Sequence, residues 1–164
     1  MLKKLNFSWV IPDVLAGSAM PTSKDDLEWL VKKQKIEIIV TLTENNLSKT
    51  IKQFADIKKE FQFKYFHIPT VDGTGFFIYQ FEKIIKIFNN SKNKNKKMLI
   101  HCEGGLGRTS TVLTAIWMYT YNQGLKESIK DIKKEGIRPQ AIFTIIQLQS
   151  LEEWEKKIMN SRKS

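Results

Sequence analysis

The sequence holds a single cysteine, Cys102, in 164 residues, so no internal disulfide can form. That thiol is either a small buried hydrophobe or a reagent, and its neighbours have to decide which. Arginine is nearly as scarce. Of 27 basic residues, only Arg108, Arg138 and Arg162 are Arg. A chain that uses Lys for generic positive charge reserves Arg for positions where a planar fork of donors is needed. No stretch reaches the roughly 18 apolar residues that a membrane-spanning helix requires. The opening residues Met1-Leu-Lys-Lys lead into no apolar run of signal-peptide length. A soluble, cytoplasmic, monomeric protein is expected, unless a dedicated secretion system exports it.

Acid is in short supply as well: 17 acidic residues against 27 basic ones leave a net charge of +10. That balance suits anionic partners, whether phosphoesters, nucleic acid or acidic membrane, and equally a merely Lys-rich surface. The Lys-rich stretch 89–97 has no interleaved aromatics on which bases could stack. It reads as a solvated loop, and a nucleic-acid partner is not expected. The length and the 41% hydrophobic content fit one domain over residues 1–164, with no repeat and no linker.

The hydrophobic pattern alternates between two periods. Ile36–Leu42, Phe63–Ile68 and Met98–His101 are short apolar runs that predict buried strands. Thr22 or Ser23 can cap a helix that buries Leu27, Leu30 and Val31. Helical spacing follows over Thr50–Glu60 and over Phe77–Phe88, where Phe77, Phe81, Ile84, Ile85 and Phe88 fall on one side. Further helices are predicted over Thr109–Tyr121, Lys126–Lys134 and Ala141–Ile158. Strands separated by helices predict an α/β domain with a mostly parallel central sheet flanked by helices. In such sheets the site lies at the carboxyl ends of the strands, here the loops after Ile68 and His101.

The loop after His101 carries the chemistry. Ile100-His-Cys-Glu-Gly-Gly-Leu-Gly-Arg-Thr-Ser110 passes from strand to glycine-rich turn to helix. Gly104, Gly105 and Gly107, with Glu103 and Leu106 between and before them, let the backbone turn its N–H groups toward one point, an anion nest. The helix that begins near Thr109 adds its positive end, and Arg108 can close on a phosphate through two parallel hydrogen bonds. The same field bears on Cys102. Helix N-termini and nearby cations lower thiol pKa values from about 8.5 to about 3.5–7.5. One set of dipoles therefore makes both a phosphate site and a thiolate nucleophile. Thr109 can hydrogen-bond the sulfur and help it leave. His101 is expected to be buried and to orient the Cys102 backbone; a direct proton role is the alternative.

This pattern, His-Cys-x5-Arg-Thr, resembles that of the protein tyrosine phosphatase superfamily. Phe7-Ser-Trp-Val-Ile-Pro12, Leu15-Ala-Gly-Ser18, Val40-Thr-Leu-Thr-Glu44, His67-Ile-Pro69 and Arg138-Pro139 with Gln147 are similar to the small atypical dual-specificity phosphatases, including archaeal ones. The resemblance covers nearly the whole chain. It implies a compact, metal-free and cofactor-free enzyme acting on phosphorylated protein. It also implies a general acid on a mobile loop, matched here by Asp72, which by itself reads equally well as an Asp-Gly turn. It assigns Gln147 to placing the hydrolytic water, where the plain alternative is a polar helix position. Arg138 is assigned to bracing the phosphate loop, with substrate contact as the alternative.

The chain departs from that pattern at Ser110, where the family usually has Gly, and at Glu103, where small, apolar or basic residues are common. The Ser110 hydroxyl can cap the helix. Glu103 either faces the pocket, raising the thiol pKa and opposing acidic substrates, or points outward. The leading expectation is hydrolysis of phosphotyrosine, and also of phosphoserine and phosphothreonine, through a cysteinyl-phosphate. An RNA 5′-phosphatase, an inositol-phosphate phosphatase and a non-catalytic phosphoprotein-binding module are the alternatives.

Overall fold

A computed structural model describes residues 4–163. Among these residues five strands form one sheet: β1 Ser8–Ile11, β2 Leu15–Ser18, β3 Ile38–Thr41, β4 Lys64–His67 and β5 Met98–His101. The order across the sheet is β1-β2-β5-β3-β4. Only the β1–β2 edge pair is antiparallel, and the other three pairings are parallel. The central strands β2, β3 and β5 are buried at every position because both of their faces are covered. Ile38, Val40, Met98 and Ile100 point to the face packed by helices α4 (Ile78–Asn93), α5 (Arg108–Tyr121) and α7 (Ile145–Lys163). Ile39, Leu99 and Ala16 point to the other, where α1 (Lys24–Glu28) and α3 (Phe54–Phe61) supply Leu27 and Ile57. Two short helices, α2 (Leu47–Thr50) and α6 (Leu125–Ile132), complete the set. No helix among the described residues is long and apolar enough to cross a membrane.

Several boundaries differ from the sequence expectation, each for a local reason. The hairpin β1–β2 was not anticipated: its four-residue strands carry Ser8 in β1 and Gly17 and Ser18 in β2, so neither reads as an apolar run. The helix expected over Thr50–Glu60 is divided into α2 and α3 at Ile51, whose backbone is extended (φ −113°, ψ 107°). Ser23 caps α1 as expected, accepting from Asp26 N at 3.1 Å, and the helix continues as a single π-helical turn over Trp29–Lys33. The helix expected over Phe77–Phe88 runs five residues further, so part of the stretch read as a loop is helical, and Ser91 there is buried with Oγ donating to Lys96 O at 2.7 Å. Phe77 sits outside the helix as its N-cap and is exposed, not buried. The last helix begins at Ile145, four residues after the expected start at Ala141.

Register brings the carboxyl ends together. Ser18 and Thr41 both lie opposite His101, and His67 lies opposite Thr41. The chain leaves β5 at that edge and enters α5 through residues 102–107.

Candidate active site

The loop from Cys102 to Gly107 is held by its carbonyl groups. Cys102 O accepts from His101 Nδ1 at 3.1 Å, Glu103 O from Met20 N at 2.9 Å, and Gly104 O from Asn6 Nδ2 at 3.1 Å. Gly105 O accepts from Arg138 Nη2, Leu106 O from Ile142 N at 3.4 Å, and Gly107 O from Thr111 N at 2.9 Å. Six successive carbonyls are thus pulled outward. Among the described residues, no N–H of residues 103–107 has a partner. Those amides face inward, over the N-terminus of α5, and form the anion nest that the glycine spacing predicts. Gly105 holds φ +72°, and a Cβ there would stand 2.6 Å from the carbonyl carbon and oxygen of Ser18. Only glycine fits that left-handed turn against the end of β2.

Cys102 lies at the floor, 3% exposed, in a cleft of about 500 Å³. Asp72, Gly73, Glu103, Ile142, Phe143 and Gln147 are among its walls. His101 is fully buried between Thr41 and the loop. Its Nδ1 faces a carbonyl, which can only accept, so Nδ1 carries the proton and Nε2 accepts from Thr41 Oγ1 at 2.6 Å. Burial pushes its pKa down from 6.5 to about 4, only partly offset by the bond to Cys102 O. The ring is neutral and fixed, the arrangement expected of an orienting residue.

Two of the three arginines are buried. Arg138 is wholly enclosed, and its Nη1 donates to Ser8 Oγ at 2.9 Å, Gly17 O at 3.0 Å and Asn6 O at 3.3 Å, while Nη2 holds Gly105 O. None of these partners is a carboxylate. Burial lowers its pKa to about 10, and the nearby Cys102 pulls the other way. Arg138 braces the loop from behind, as the resemblance implies, and brings a buried positive charge near the thiol.

Arg108 is 1% exposed, with Nη1 donating to Thr70 O at 2.8 Å and to both oxygens of Glu44 at 3.2 Å. Its Nε lies 3.4 Å from Asp72 Oδ1. Glu44 in turn accepts from Asp72 N at 2.8 Å. Hydrogen bonds from its own backbone N–H and that of Asp72, with a smaller contribution from Arg108, hold the Glu44 carboxyl below the usual range. Glu44 is the site residue that sequence reasoning missed. It was legible only as the last residue of Val40-Thr-Leu-Thr-Glu44, 64 positions before its partner.

Asp72 stands at the rim, its side chain 75% exposed. Gln147 is buried, and Thr144 and Gln147 form a reciprocal cap on α7. Gln147 N donates to Thr144 Oγ1 at 3.1 Å, and Thr144 N donates to Gln147 Oε1 at 3.0 Å. The Gln147 acceptor is thereby engaged, and its Nε2 packs on Gly107, 3.2 Å from where a Cβ would be. Thr109 does not bond the sulfur: its Oγ1 is buried with no partner, and its methyl group packs toward Gly17. Ser110 does not cap α5 either. It lies one turn inside, its hydroxyl unpartnered, and Gly107 is the N-cap. Glu103 is exposed at the mouth of the cleft.

A cleft with a thiol at its base, unpaired amides around it, a guanidinium at one side and a carboxylic acid at the rim can hold a tetrahedral dianion and supply both a nucleophile and a proton.

Comparison with known proteins agrees with that chemistry. The family model described as the Swiss Army Knife protein DSP-PTPase phosphatase domain matches residues 4–162. AMV078 of Amsacta moorei entomopoxvirus, provisionally named a tyrosine-protein phosphatase, is 28% identical over 147 residues, covering 88% of this chain and 86% of that one. Cyclin-dependent kinase inhibitor 3 of Rattus norvegicus is 29% identical over 138 residues, covering 81% of this chain but only 63% of its own length. Among solved structures, Tk-PTP in the active form superposes with a TM-score of 0.78 at 27% identity, over 93% of this chain and 97% of that one. PTPMT1 in complex with PI(5)P superposes with a TM-score of 0.79 at 21% identity, over 95% and 98%, a likeness of fold.

Proposed function

The chain belongs to the DSP-PTPase phosphatase domain family, and from that membership we propose that it removes phosphate from tyrosine, and also from serine and threonine, in protein substrates through a cysteinyl-phosphate. The observation that carries this reading is the ring of inward amides above Cys102, formed because every carbonyl from 102 to 107 is bonded outward.

Phosphate entering the cleft accepts hydrogen bonds from those amides and from Arg108, which turns part of its fork from Glu44 to the ligand. The Cys102 thiolate attacks phosphorus, a P–S bond forms, and the P–O bond to the leaving group breaks. Asp72 gives its proton to the departing oxygen. Water then attacks the phosphocysteine, placed by Gln147 and deprotonated by Asp72. The P–S bond breaks, inorganic phosphate leaves, and the thiolate returns. Two easier displacements replace one difficult hydrolysis. His101 and Arg138 fix the loop and do not exchange protons with substrate.

The reading is tested by acid-quenching the protein during turnover of p-nitrophenyl phosphate and sequencing for phosphocysteine. Phosphate on Cys102, with no turnover but retained phosphate binding in Cys102→Ser, is the expected result. An active Ser variant overturns the covalent mechanism. Faster turnover of an RNA 5′-triphosphate or an inositol polyphosphate than of any phosphopeptide overturns the substrate class.

A further inference from the structure

Six of the nine exposed large hydrophobic side chains among the described residues fall in two short segments. Val71, Phe77 and Tyr79 stand on the stretch that carries Asp72, and Ile142, Ile145 and Ile146 on the stretch that leads into α7. Ile145 is 75% exposed, Phe77 68% and Val71 62%. The two segments are joined. Thr144 Oγ1 donates to Gly73 O at 2.8 Å, and a Cβ on Gly75 would stand 2.8 Å from Ile146 O. Phe77 and Tyr79 stack with ring centroids 5.6 Å apart and planes 9° from parallel. Each segment also walls the cleft, Asp72 and Gly73 on one side and Ile142 and Phe143 on the other. Of the six, Ile142 lines the cleft itself, and Val71 adjoins Asp72 of its wall. Several such residues gathered beside a cleft mark a contact surface.

The charge around the cleft is a second, independent observation. None of the 27 Lys and Arg residues lies in 68–79, 102–107 or 139–151, the three segments that make the rim and floor. The rest of the chain is Lys-rich. Apart from the buried Arg108 and Arg138, the charged groups gathered here are acidic: Asp72, Glu103 and the half-exposed Glu44. A polyphosphate, a nucleic acid or an anionic bilayer is met by clustered Lys and Arg. Here they are kept away, and the surface offered is apolar.

Resting on the reading of this cleft as a phosphotyrosine site, we propose that the rim formed by residues 71–79 and 142–146 selects protein segments in which phosphotyrosine is flanked by large apolar residues. The phosphate descends to Cys102, and the neighbouring side chains of the substrate lie on the rim. Glu103 at the mouth opposes acidic flanks by like charge.

Three phosphotyrosine peptides of equal length test this, with Leu and Ile, Ser and Gly, or Glu beside the phosphotyrosine. Each kcat/KM is divided by the p-nitrophenyl phosphate value of the same preparation, so that loss of fold or of chemistry cancels. The apolar peptide should lead the Ser/Gly peptide by about tenfold or more, a difference expressed in KM, and the Glu peptide should be last. In the double variant Ile145→Ser, Phe77→Ser the first ratio should fall close to one. Binding of the same peptides to Cys102→Ser, read by fluorescence anisotropy, should follow the same order. Equal use of the three peptides overturns the proposal, as does a preference that survives in the rim variant. So does faster turnover of a phosphoinositide in vesicles than of the apolar peptide, or a dimer in sedimentation that the rim variant dissolves. If no phosphotyrosine peptide is hydrolysed while an RNA 5′-triphosphate is, the underlying reading itself falls, a pattern distinct from a flat peptide profile.

Discussion

Glu44 fastens Arg108 with both carboxylate oxygens, each 3.2 Å from Nη1, while one of those oxygens also accepts the backbone N–H of Asp72 at 2.8 Å. One side chain thus sets the angle of the guanidinium and the position of the rim loop. Glu44→Gln keeps an acceptor for Asp72 and loses the charge, whereas Glu44→Ala loses both. Turnover should fall in that order, the Ala variant by about ten- to a hundredfold, because misplacing a catalytic group by an ångström costs about that much. Steady-state kinetics on one phosphopeptide decide it. An Ala variant as fast as wild type removes Glu44 from the site.

Asp72 is mostly exposed and 3.4 Å from Arg108 Nε, on a loop held by Glu44 and Thr144 beside the guanidinium. Asp72→Asn should slow alkyl phosphates by about 10²- to 10⁴-fold, the usual worth of general acid catalysis. Aryl phosphates with acidic leaving groups should suffer far less. A series of substituted phenyl phosphates reads this directly. Equal slowing along the series would make Asp72 structural.

Gly105 has no room for a side chain. Gly105→Ala adds the cost of a left-handed residue, about 1–2 kcal/mol, and drives a methyl group into Ser18, 2.6 Å away. Stability should drop by more than that cost alone, and phosphate affinity should fall with it. Urea melts and phosphate titration together test this. A variant with wild-type affinity would mean that the loop has a second workable shape.

His101 makes the protein acid-sensitive. Its pKa is 6.5 unfolded and about 4 folded, so between those values only the unfolded chain takes up the proton. Its contribution is complete above pH 6.5 and is lost as pH falls toward 4, amounting to about 3 kcal/mol. Urea midpoints measured across that window should decline, and the decline should flatten in His101→Gln. An unchanged slope in the variant would assign the acid sensitivity to other groups.

How much was legible follows from distance along the chain. Cys102, the glycines and Arg108 sit within seven residues, so spacing alone reveals a phosphate loop. The central strands β3 and β5 were legible because both faces are buried and the runs are mostly apolar. Glu44 was not, because nothing local ties an exposed Glu to an Arg 64 residues on. The start of α7 was recoverable: Thr144-x-x-Gln147 is a capping box, and it also explains why Gln147 is held where it is. The expected Thr109 bond to sulfur failed on a rotamer, which spacing does not specify.

Arg138 reaches residues 6, 8, 17 and 105 from a single guanidinium. A ribosome emits that arginine late, after the hairpin and the phosphate loop have already been made. Until it arrives the Gly105 carbonyl has no brace, and residues 6, 8 and 17 are not tied to the phosphate loop. Contacts of such long sequence separation form slowly, since chain closure precedes their reward. Catalytic competence should therefore appear only once Arg138 has been made and has docked, so that a chain stopped short of it carries the nucleophile without the geometry to use it.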